Sequence, residues 1–92
     1  MAEKTLSYKG KPLIRRENKV FYGNINEDFM IEMTILDEKE VLGQTVAGNI
    51  LIELKDNKKG GVVKKAERNG FYKAIDIAEF WLLDALGEVW LF

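Results

Sequence analysis

The stretch Phe71–Leu86, FYKAIDIAEFWLLDAL, decides the fold. At about 3.6 residues per turn, Phe71, Ala74, Ile75, Ala78, Trp81, Leu82, Ala85 and Leu86 fall on one broad face, the spacing of an amphipathic helix. The window holds no proline, and its alanines and leucines offset the poorer helix formers Ile75, Ile77 and the aromatics. Sixteen residues make a rod of about 24 Å, long enough to lie across a small sheet. Ala74, Ala78 and Ala85 permit close approach to that sheet, and Trp81 and Leu82 are expected as the large central plugs.

Working back from the helix, the apolar runs lie between glycines, as short strands do. Residues 5–8, TLSY, read as an edge strand ended by Lys9-Gly10. Pro12 lacks an amide proton, so PLIRR begins a strand or lies on an edge. With Glu17-Asn18 as the loop, residues 12–23 form a hairpin in which Leu13 faces Tyr22 and Ile14 faces Phe21, Asn18 taking the positive φ. FMIEMTILD alternates, setting Phe29, Ile31, Met33 and Ile35 on one face and Met30, Glu32 and Thr34 on the other. Residues 38–48 read as a connection with Val41, Leu42 and Val46 turned inward. NILIEL, residues 49–54, is the next strand, DNKKGG is a loop, and Val62-Val63 adds a short last strand. The expectation is an α+β fold: an antiparallel meander of about four to five strands with one long C-terminal helix packed across one face. Residues 1–92 form a single domain, with strands over 5–63, the helix over 70–86 and an apolar tail over 87–92.

Hydrophobic residues at 47% and charged residues at 32% fit an ordinary globular domain and argue against disorder. With no cysteine there is no disulfide framework and no thiolate metal site. MAEKTLSYKGKPL has no apolar run of signal-peptide length, and no segment is long enough to span a membrane, so a cytoplasmic location is expected. Net charge is −1 but unevenly spread: residues 24–54 carry one basic and seven acidic groups, and residues 55–68 six basic and two acidic. Such alternation makes a mixed surface rather than a polyanion-binding one.

YKGKPLIR (8–15) followed by VFYGN (20–24), together with KKAERNGFYKAIDIAEFWL (64–82), resembles a family of short bacterial proteins of unknown function. The resemblance covers most of residues 8–82, with a more variable middle, and rests on turn and core residues. It implies a small cytoplasmic protein and carries no activity or site. The chain departs from that pattern after Trp81-Leu82, where LDALGEVWLF replaces a charged helix end.

Without histidine or cysteine, the Ser-His, Cys-His and zinc constellations are excluded, and neither GxxxxGK[ST] nor GxGxxG occurs. Only a carboxylate-only site remains open to catalysis, the densest acids being Asp37-Glu38-Glu40 and Asp76 with Glu79. Fifteen acids in 92 residues make such neighbours ordinary, so the chain reads as a non-enzyme without cofactor or metal. The outer side of the helix is more informative, because Tyr72, Phe80 and Leu83 share it with Asp76. If the helix continues through Gly87, Trp90 and Leu91 join this side; if Gly87 breaks it, the tail runs back against its own sheet. The expectation is burial of Trp90, Leu91 and Phe92 with Phe80 and Leu83 at a symmetric dimer contact. The functional reading is a small intracellular protein acting through protein–protein contacts, as a homodimer and with an unknown protein partner, with these six residues as the interface. The alternative is a weak nucleic-acid-binding module using the basic segment 55–68, through Lys55, Lys58, Lys59, Lys64, Lys65 and Arg68.

Overall fold

A computed structural model describes residues 4–87. Within them run β1 (Lys4–Tyr8), β2 (Lys11–Arg16), β3 (Lys19–Tyr22), β4 (Phe29–Ile35), β5 (Glu38–Val41), β6 (Gln44–Ala47), β7 (Asn49–Asp56), β8 (Val62–Asn69) and α1 (Phe71–Leu86). Six strands form one antiparallel sheet in the order β1-β2-β3-β4-β7-β8, and β5-β6 forms a separate two-stranded hairpin. The main sheet is thus a meander, interrupted between β4 and β7 by the hairpin. α1 packs across one face, over β4, β7 and β8.

Period-two alternation builds the core. Val20, Tyr22, Ile31, Met33, Ile52 and Leu54 point to the helix side, where they meet Ala74, Ile75, Ala78 and Leu82. Leu13 pairs with Tyr22 and Ile14 with Phe21, the expected register. The residue with positive φ in that turn is Glu17, at 56°, rather than Asn18. The Asn18 carbonyl instead accepts the Ile35 N–H at 2.7 Å, which ties the turn to the end of β4.

Residues 38–48 are no inward-folded connection. They form the β5-β6 hairpin, and Val41, Leu42 and Val46 are exposed. Backbone pairing between the two strands satisfies their polar groups without any need to bury them. The last strand is also longer than Val62-Val63, because VVKKAERN pairs along β7 as far as Asn49 opposite Asn69. Its lysines suit an edge strand, where charge opposes pairing with another chain.

Trp81 is only half-buried, so of the two expected plugs only Leu82 is central, and Ile75 is buried beside it on the helix. The Lys64 ammonium lies 5.9 Å from the centre of the Trp81 ring, at the margin of the helix–sheet contact. α1 stops at Leu86: Gly87 adopts φ 72°, ψ 24°, and its N–H turns back to the Asp84 and Leu83 carbonyls. That left-handed cap, which a glycine enters at little cost, closes the route by which the helix would have run on. Trp90, Leu91 and Phe92 lie outside the described residues.

Candidate interaction surface

The outer stripe of α1 is open. Tyr72 is 85% exposed and Phe80 57%, with Leu83 half-buried one turn beyond. Tyr72 and Phe80 are eight residues apart on the inclined i, i+4 ridge that passes through Asp76, about 80° apart around the axis and on the same outer side. Asp76 is exposed between them. On the inner flank Glu79 bonds Lys9 at 3.0 Å. Lys9 is held above its ordinary pKa by that hydrogen bond and by the Glu79 charge. The bond ties the β1–β2 turn to the helix. Beside it the Tyr22 hydroxyl donates to the Tyr8 carbonyl at 3.1 Å, and burial with the nearby Glu79 charge pushes its pKa up to about 12.

The six basic residues do not form one surface. Along β8, Lys64 and Arg68 share one face of the strand and Lys65 takes the other, opposite Glu53. Lys55 donates to Glu32 at 2.8 Å, and Lys58 pairs with Asp28 at 3.4 Å on the β7–β8 loop. Strand alternation and local acids therefore divide what the sequence presents as a run. Titration with a labelled oligonucleotide at two salt concentrations is expected to show little binding at either. Affinity that falls steeply with salt would restore the basic segment as a binding surface.

Of the acids singled out as the densest, Asp37 and Glu79 are engaged, Glu79 by Lys9. Asp37 accepts the Asn49 N–H at 2.9 Å and the Asn49 side-chain amide at 3.0 Å, and these bonds hold its carboxyl below the usual range. Gly48 makes this clip possible, since a Cβ there would overlap the Asp37 carboxylate. Asn49 and Asn69 are bonded at 3.2 Å, and Lys39 reaches Asn69 at 2.9 Å. The Gly70 N–H donates to the Gly48 carbonyl at 2.8 Å. Together these contacts fasten the base of the β5-β6 hairpin to the sheet end and to the start of α1.

Sequence reasoning missed the hairpin and what lies beside it. Its two-residue turn is Leu42-Gly43, with φ of 52° and 79°, and Leu42 is 99% exposed. Positive φ at both positions is the turn that matches strand twist, but its first position normally takes Asn, Asp or Gly. A leucine there costs about 1–2 kcal/mol of backbone energy. The signal in the sequence was VLGQ, a turn-compatible glycine with Val41 on one side and Thr45-Val46 on the other. At the hairpin base lies an apolar cleft of about 450 Å³, floored by Leu6, Leu13 and Val20, walled by Val46 and Phe71, and rimmed by Arg15. α1 covers β4, β7 and β8, so this end of the same sheet face is left uncovered and Leu6 stays 54% exposed.

Among the described residues, no three acids converge as a metal site would require, and no helix is long and apolar enough to cross a membrane. No protein-family model, no curated protein and no solved structure matches the chain.

Proposed function

We propose that this chain is a non-catalytic module that acts through protein–protein contact and self-associates across the outer side of α1. One observation carries the reading: Tyr72 and Phe80 stand exposed on a helix whose inner face is already fully packed. Large aromatic side chains are the residues that dominate interface energetics when buried by a partner. A two-fold contact would set the stripes of two helices against each other, each Phe80 seated against its partner's helix.

The residue types favour this over catalysis. The chain has no histidine or cysteine, and Asp37 and Glu79 are held by Asn49 and Lys9.

Light scattering over a concentration series tests the reading. The full chain should rise above the mass of one copy. Phe80→Glu should remove the contact across α1 and lower the mass by half, while its melting temperature stays within a degree or two of the parent, because the substituted ring is at the surface. A mass unchanged by Phe80→Glu would sink the α1 interface.

A further inference from the structure

The β5-β6 hairpin carries two costs that nothing among the described residues offsets. Leu42 is held at positive φ and is almost wholly in water. The hairpin that presents it is also fastened at its base by Asp37, Asn49, Asn69 and Lys39, so the tip is a fixed projection. Lys9, Glu17 and Leu42 all hold positive φ in tight turns, and of the three only Leu42 is an apolar side chain left in water. The chain holds a recess of matching character, the apolar cleft under Leu6, Leu13, Val20 and Phe71.

We infer that the Leu42 tip of one copy seats in the cleft of a second copy, and the reverse, forming a two-fold contact separate from α1.

The position of the cleft selects this occupant. Val46 and Ala47, which line it, stand at the base of the hairpin, and Leu42 stands at its tip. Four-residue strands put tip and base about 14 Å apart. Two hairpins packed side by side in opposite directions therefore place each tip at the other's base. Both sites are filled by one two-fold operation, so the contact closes at two copies and does not propagate.

Charge agrees with that arrangement. Glu40 lies two residues before Leu42 and pairs across the hairpin with Thr45, which lines the cleft. Arg15 stands at the cleft rim with one hydrogen bond, from its Nε to the Glu17 carbonyl at 3.0 Å, and with no acid paired to it among the described residues. A tip entering the neighbouring cleft brings the Glu40 carboxylate to the rim where the Arg15 guanidinium stands, two groups that pair strongly.

The test uses the full chain in sedimentation equilibrium, against the background Phe80→Glu, which removes the α1 contact. The Phe80→Glu protein should still form two-copy assemblies. Adding Leu42→Asn should weaken them by at least about tenfold, as loss of a buried interface anchor does. The same substitution should raise the melting temperature of the isolated chain by about 4–8 °C, because asparagine accepts the turn geometry that strains leucine. Arg15→Glu and Glu40→Arg should each weaken the assembly, and the two together in one chain should restore it. A mass unaffected by Leu42→Asn overturns the hairpin contact, as does a charge exchange that fails to restore association. If the Phe80→Glu protein is a single copy at every concentration while the parent associates, the α1 contact stands and the hairpin contact falls. If Phe80→Glu leaves the parent mass unchanged and Leu42→Asn abolishes association, the α1 contact falls and the hairpin contact stands.

Discussion

Leu82→Ala should lower the stability of this domain by about 2–5 kcal/mol, read from the urea midpoint of the purified chain. Leu82 is fully buried, and the sheet is built to receive it. A Cβ at Gly23 would come within 3.0 Å of a Leu82 methyl, so the strand end narrows to backbone just where the side chain enters. Truncation leaves a cavity beside the Gly23 backbone, which cannot collapse into it. For a domain whose total stability lies in the usual range of about 5–15 kcal/mol, that is a large share. Trp81→Ala should cost less, about 1–2 kcal/mol, because one side of the ring already faces water and the Lys64 ammonium. Equal losses from the two substitutions would mean that the helix is rotated about its axis relative to this structure.

The contrast between those neighbours shows how far the helical wheel reaches. Periodicity placed Trp81 and Leu82 on the same broad face, and it cannot distinguish the middle of that face from its margin. The margin is set by where β8 ends laterally, which is a property of the sheet. Where alternation was strong the sequence was legible. Ile31, Met33 and Ile35 face the core as FMIEMTI requires, and the pairing of Leu13 with Tyr22 follows from a two-residue loop between 16 and 19. VVKKAERN was harder, because charge along an edge strand mimics a solvated loop, and its pairing is supplied by β7. EKEV and QTVA carry too little apolar alternation to show that they pair with each other. Of the candidate site, Tyr72 and Phe80 could be read from the wheel. The cleft could not, since Leu6, Val46 and Phe71 come from three distant segments that only the topology brings together.

Glu32→Gln should destabilise the domain by about 1–2 kcal/mol at neutral pH, and the difference should shrink in acid. Glu32 lies in the middle of the sheet face opposite α1, only 8% exposed, between Phe21 on β3 and Glu53 on β7. A carboxylate so placed needs cations. Lys19 reaches it at 2.6 Å and Lys55 at 2.8 Å, from the diagonal positions of the two flanking strands. Burial alone would raise the carboxyl pKa, but the two lysine hydrogen bonds and charges outweigh it, leaving it below its ordinary 4.5. The stabilisation from this depressed pKa is therefore complete above the unfolded-state value and is lost as pH falls through the folded one. Both lysines keep part of their surface in water, which holds the effect to the lower end of the range for charged hydrogen bonds. Urea midpoints of the parent and of Glu32→Gln, compared from pH 7 downward, should stay apart until the ordinary carboxylate range and converge below it. If the two curves keep a constant separation across that range, the lysines are not what holds Glu32 in the sheet.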